Sequence, residues 1–199
     1  KRLGPLVRQA ELLAAQYDAV VANPPYMGSK HMDTQVKRFA RAHFPHAKSD
    51  LFACFMERSY TLSKDEGHTS LVTMQSWMFL SSFESLREVM LREKTIETMA
   101  QIGFNSFPSM NSKIAMATVF STANYRVDNF VGTFIDLNNA PHSADKQAVF
   151  LARGPSDQFQ VAAEEFKKIP GSPIAYWASN KIRGLFQSNS ALCSTLNPK

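Results

Sequence analysis

The 199 residues are 44% hydrophobic, 11% aromatic and 20% charged, a balance that fits a packed core and excludes a disordered or collagen-like chain. Twenty-two basic and 17 acidic residues give a formal charge of +5, and the longest apolar runs, such as residues 51–56, fall far short of the roughly 18 to 20 residues of a membrane-spanning helix. The only two cysteines, Cys54 and Cys193, have no metal-ligand spacing, which argues against a disulfide scaffold or a zinc ribbon and fits a cytoplasmic protein. The chain opens Lys1-Arg2-Leu3-Gly4-Pro5, with neither an initiator methionine nor an apolar signal core, and is expected to be an internal segment of something longer.

In chain order, residues 5–16 have a helical composition, with Leu6, Leu12 and Leu13 among Ala, Gln, Glu and Arg. Residues 17–22 are short, mostly apolar and β-branched, and predict a buried strand that runs straight into Asn23-Pro24-Pro25-Tyr26. Residues 28–48 form a basic segment, with Lys30, Lys37, Arg38, Arg41 and Lys48 against Asp33 alone. Such a cluster suits contact with a phosphate backbone, and equally suits a solvated loop. Ser49-Asp50 is a good N-cap pair for an apolar-periodic helix through Leu62. A strand over residues 69–74 follows, then a helix capped by Ser81 or Ser82, and then a strand over 95–102. Residues 113–120 and 129–136 are β-rich runs separated by a polar turn, which predicts an antiparallel hairpin. Residues 137–150 read as an exit loop, and 174–187 as a helix. The expected fold class is α/β, the C-terminal part of a Rossmann-like sheet ending in an antiparallel hairpin. Residues 1–136 form its main portion, and 137–199 a linker and the start of a following region.

The tetrapeptide Asn23-Pro24-Pro25-Tyr26 is the most specific feature, expected by chance on the order of once in a thousand chains of this length given proline near 5%. Its placement matters as well, because ligands of open α/β sheets bind beyond the carboxyl ends of the strands. Pro25 has no N–H and both prolines fix φ, so the loop is stiff and leaves the Pro24 carbonyl as a free acceptor. With the Asn23 side-chain oxygen beside it, two acceptors converge where an amino group carrying two hydrogens fits. Accepting both hydrogens as an aromatic amine becomes tetrahedral stabilises the transition state more than the ground state. Tyr26 adds a flat face for a planar base, a contact worth roughly 1 to 3 kcal/mol.

The run Ala19-Val20-Val21-Ala22-Asn23-Pro24-Pro25-Tyr26-Met27-Gly28 resembles the catalytic motif of S-adenosylmethionine-dependent N6-adenine DNA methyltransferases. The similarity is to the large type IIG methylase-restriction enzymes and the methyltransferases of bacterial phage-exclusion systems. Lys48-Ser49-Asp50-Leu51-Phe52-Ala53-Cys54-Phe55-Met56-Glu57-Arg58 looks like the helix that follows the catalytic loop there, and Ile169–Trp177 is reminiscent of the phage-exclusion group. The resemblance covers residues 5–136 and is weak beyond. It implies S-adenosylmethionine as methyl donor, DNA as partner, and Phe107 beside Tyr26 in holding an extruded adenine. It also implies a Gly-rich donor cradle, yet no two of the eight glycines form a Gly-x-Gly turn. Asn23 is then the one residue expected to graze the donor. The missing N-terminal part of the domain or a second copy is expected to cover the sheet edge. No metal is expected, since the His43/His46 pair lacks further ligands at metal-site spacing. Two alternatives keep part of this reading: a glutamine or RNA guanine-amino methyltransferase, and a non-catalytic fragment that binds DNA or a partner.

Overall fold

The computed structural model describes residues 3–104, 116–138, 140 and 145–188. The chain begins with helix α1 (Leu3–Ala14), strand β1 (Tyr17–Ala22), helix α2 (Thr34–His43), helix α3 (Leu51–Leu62) and strand β2 (Ser63–Met74). Two 3₁₀ turns, Gln75–Met78 and Ser81–Phe83, lead into α4 (Glu84–Glu93), followed by β3 (Thr95–Gly103), β4 (Ala117–Ala123) and β5 (Val131–Asp136). Then come α5 (Lys146–Ala152), β6 (Gln158–Ala162), the single turn α6 (Ala163–Phe166) and α7 (Asn180–Ser188).

Six strands form one sheet in the order β1-β2-β4-β3-β5-β6. β1 runs parallel to β2, and β3 parallel to β5. β4 lies between β2 and β3, antiparallel to both. The α/β class expected from the sequence is therefore observed, but its hairpin lies elsewhere. β4 and β5 do run in opposite senses, as the two β-rich runs suggested, yet β3 separates them. Both hydrogen-bonding edges of β4 are taken by β2 and β3, so β5 pairs with the far side of β3 and the polar turn after β4 passes around its end. The antiparallel neighbours in sequence are β3 and β4.

The core lies between one face of the sheet and helices α3 and α4. Phe52 and Met56 from α3 and Leu86, Met90 and Leu91 from α4 pack on Leu71, Phe120, Met99 and Phe134. Four threonines on this face of β2 and β4 are also buried, and three of their hydroxyls pair locally: Thr118 donates to the Ala100 carbonyl at 3.1 Å, Thr122 to the Thr69 carbonyl at 3.4 Å, and Thr73 accepts from the Trp77 indole at 3.0 Å. A smaller cluster of Ala100, Ile135 and Leu137 is covered on the opposite face by Val149 and Phe150 of α5.

Several expectations need correction. β1 is not buried: it pairs with β2 alone among the described strands, none of its residues is fully covered, and Val21 is 78% exposed. Its apolar run has the composition of a strand covered on both faces, which here it is not. The basic segment contains helix α2, whose start is set by Asp33, its carboxylate accepting from the Val36 amide at 2.8 Å. Neither Ser81 nor Ser82 caps α4, which follows directly from the 3₁₀ turn with no side-chain cap. α3 ends at Leu62 and β2 starts at the next residue. α5 interrupts the exit loop, and α7 starts only at Asn180, after Ile174 and Tyr176 have docked on the core.

Candidate active site

β1, β2 and β3 all point their carboxyl ends to one edge of the sheet, and β4 begins there. Asn23-Pro24-Pro25-Tyr26 leaves β1 at this edge. Asn23 and Pro25 are exposed, Pro24 is buried, and Tyr26 is half-buried, edge-on to Phe52 with ring centroids 6.1 Å apart at 83°. Burial pushes the Tyr26 phenol above its ordinary pKa, so the ring is presented neutral. Asn23 and Tyr26 are therefore brought to one loop, whereas Phe107 lies outside the described residues.

The far end of this loop is laced to the start of α3. The Leu51 amide donates to the Met27 carbonyl at 2.9 Å, Ser29 N–H to the Ser49 carbonyl at 2.9 Å, and Gly28 and Asp50 form an isolated antiparallel bridge. Asp50 does double duty: its Oδ1 caps α3 by accepting from Phe52 N–H at 3.2 Å and also accepts from Met27 N–H at 3.0 Å. The sequence revealed only the first role. The second joins residues 23 apart and had no local signal.

Burial raises the Asp50 carboxyl pKa, opposed by the amides of Met27, Phe52 and Leu51. A carboxyl raised in the folded state contributes most below its unfolded pKa, near 3.9, and that contribution is lost as pH rises through the folded value. Asp50→Asn keeps an acceptor oxygen without the charge. Its stability relative to the parent should therefore climb with pH from about 4 upward and then level off, measured by parallel denaturant titrations. Asp50→Ala, which loses both bonds, should cost about 1 kcal/mol or more at every pH.

The five predicted cations divide into two groups. Lys37, Arg38 and Arg41 share one stretch of α2 at spacings of one and four, with Arg38 and Arg41 exposed. Lys30 and Lys48, both exposed, each adjoin a residue of the Ser29–Ser49 hydrogen bond and so bracket the loop bridge. Among the described ion pairs none involves any of the five. Between α2 and α3 an apolar cavity of about 240 Å³ is lined by Phe39, Phe44, Leu51, Cys54 and Phe55. The Cys54 thiol is pushed up to about 11 by burial, with Glu57 and Asp50 adding to the effect. It donates to the Ala47 carbonyl at 3.4 Å, as a protonated thiol and not a nucleophile.

Gly67, Gly103 and Gly132 are tight positions, but the crowding atoms are the chain's own: the Ser63 hydroxyl, the Asn138 side chain and the Ile96 carbonyl respectively. They are glycines for packing, not for the close approach of a ligand.

A mainly parallel sheet with antiparallel β4 slotted into it and antiparallel β6 at its edge is a Rossmann-like fold of the methyltransferase class. The methyltransferase subunit of a type I restriction-modification system from Streptococcus thermophilus matches it with a TM-score of 0.53 at 16% identity, over 80% of this chain and 37% of that one; at that identity the likeness shows the fold alone. The chain belongs to the Eco57I restriction-modification methylase family, whose model matches residues 7–107. It is 43% identical over 177 residues to the adenine-specific methyltransferase BrxX of Escherichia coli O9:H4 (strain HS), and 39% identical over 189 residues to the adenine-specific methyltransferase PglX of Lacticaseibacillus casei (strain Zhang). These alignments cover 88% and 93% of the chain, and so run past residue 136. The chain spans only 14% and 16% of the lengths of those two relatives.

Proposed function

We propose that this chain is the target-amine portion, residues 1–136 with the start of a following region, of a bacterial cytoplasmic enzyme that methylates the N6 amine of adenine in DNA. The methyl would come from S-adenosylmethionine, and the setting would be restriction-modification or phage defence. The observation that carries the reading is the Asn23–Tyr26 loop at the carboxyl edge, its end fixed to α3 through Asp50. The adenine-specific relatives point the same way.

Within this chain the chemistry is that of the acceptor. The Asn23 side-chain oxygen and the Pro24 carbonyl take the two amine hydrogens, and those bonds strengthen as the nitrogen becomes tetrahedral. Tyr26, backed by Phe52, stacks on the extruded base, with Phe107 proposed opposite it. The donor's adenosine and amino-acid ends are held by other parts of the protein, with Asn23 the residue nearest its reacting end. The exposed edge of β1 and the apolar residues of α1, none of them buried, are where those parts or a second copy would pack. Transfer of tritiated methyl from the donor by the full-length protein to duplex DNA, release-factor protein and RNA tests the reading. Label in N6-methyladenine is expected, and label confined to protein or RNA would overturn it.

Lys30, Lys37, Arg38, Arg41 and Lys48 are proposed to meet the DNA backbone. Replacing Lys37, Arg38 and Arg41 together with glutamine should weaken DNA binding and make the slope of log affinity against log salt shallower by up to about three, one unit per lost phosphate contact. A slope unchanged from the parent would assign these side chains to solvent.

A further inference from the structure

A second aromatic surface lies on the same edge as the Asn23 loop. Trp177 is 47% exposed, yet its ring is held from two sides, 5.4 Å from Phe79 and 5.0 Å from Tyr176 in a T-shaped contact. Tyr176 is itself buried, stacked on Phe134 at 5.2 Å, with its hydroxyl donating to Gln101 Oε1 at 2.5 Å. An exposed tryptophan so firmly fixed has lost its conformational freedom in advance and has one side left to offer.

Beside it is a cavity of about 250 Å³, lined by Met74, Gln75, Ser76, Phe79, Leu80 and Met116. The Gln75 amide is oriented by Gln101, whose Nε2 donates to Gln75 Oε1 at 2.6 Å. The cavity is smaller than the roughly 300–1,000 Å³ of drug-sized ligand sites, which suits one ring system better than a whole nucleotide. Its walls are apolar and aromatic, with an amide and a hydroxyl among them. Two distant segments build the Trp177–Phe79 shelf beside it: Ile174 N–H donates to the Met78 carbonyl at 2.9 Å, and Arg87 ties Gly171 to Trp77 and Leu80.

We infer that the Trp177–Phe79 shelf and its cavity take a second nucleobase of the DNA, one unstacked when the duplex opens beside the target adenine. The inference rests on the proposed DNA methylation. A planar, sequence-tolerant partner is what a rigid aromatic face recognises, and the cavity adjoins the carboxyl end of β2, the strand next to the one that ends at Asn23. The exposed cations of α2 add a backbone-binding surface elsewhere on the chain.

The test uses the full-length protein and two single-stranded probes of equal length and charge: a deoxyadenosine 12-mer and an abasic 12-mer. Fluorescence of the parent minus that of Trp177→Phe isolates the Trp177 signal, which the base-bearing probe should quench and the abasic probe should not. Trp177→Ala should lose about 5- to 150-fold in affinity for the base-bearing probe and little for the abasic one. Trp177→Phe, which keeps a ring, should retain most of it and reports on the site even if the alanine variant folds poorly. Equal loss for both probes, or an unquenched Trp177, would overturn the inference and assign the ring to a protein interface. Tritiated methyl transfer to duplex DNA runs in parallel: DNA methylation with an unquenched Trp177 defeats only the shelf, whereas absence of DNA methylation defeats the underlying function.

Discussion

Asn23→Ala in the full-length protein is expected to lower the rate of methyl transfer to DNA by on the order of 10²–10³, the effect of removing one preorganised partner of a developing charge. Asn23 is exposed at the end of β1, so truncating it opens no cavity in the core, and the fold should survive. The loss should fall on kcat, with KM for DNA nearly unchanged, because the bond to the amine gains most of its strength as nitrogen leaves planarity. Single-turnover transfer of tritiated methyl, with DNA affinity measured separately, provides the comparison. Equal incorporation by the parent and the variant would remove Asn23 from the chemistry.

Arg87→Lys is expected to loosen the segment over residues 169–177 by about 2–3 kcal/mol. The guanidinium is 1% exposed and donates to three carbonyls: twice to Gly171, at 3.0 and 2.7 Å, once to Trp77 at 2.8 Å and once to Leu80 at 2.7 Å. Burial lowers its pKa, partly opposed by Glu84 and Glu88, but an arginine stays charged. A lysine ammonium cannot reproduce the planar fork, so at least one buried carbonyl is left without a donor. Hydrogen exchange read at Ile174 N–H, whose acceptor is Met78, should quicken by about 30- to 150-fold, that free energy expressed as a ratio. Unchanged protection there would mean that the apolar contacts of Ile174 and Tyr176 hold the segment unaided.

What the sequence disclosed depended on how local the determining physics was. The Asn23–Tyr26 loop was legible because two adjacent prolines after an apolar run leave the backbone few choices, and the start of α3 because Asp50 caps its own helix. Helix α2 escaped notice because its charged residues and Gln35 mask a short apolar stripe of Val36 and Ala40, and the cap at Asp33 was read only as a lone acid in a basic stretch. Strand partners were illegible for a different reason: the alternation of β4 is satisfied by any two neighbours, and nothing local says that β2 and β3, rather than β5, supply them. Arg87, 84 residues from the glycine whose carbonyl it holds, looked like any other basic residue on an amphipathic helix.

The position of β4 also orders events in time. Of the four strands β1 to β4 it is the last to be synthesised, yet it occupies an interior position, paired with β2 over residues 68–74 and with β3 along its other edge. Until Ala123 has left the ribosome, β2 and β3 must be held a strand's width apart on α3 and α4. The 20 residues from Gly103 to Ala123 take roughly 1–4 s to add at 5–20 residues per second. From the completion of β3 at Gly103 onward, two strand edges with unpaired N–H and C=O groups face each other across an empty slot, which makes the nascent chain a target for strand-capturing chaperones and for mispairing with its neighbours on a polysome. Translation halted before Met116 therefore leaves a domain without the middle of its sheet, and with it no Met116 carbonyl to receive Gln75 N–H at the carboxyl edge of the sheet.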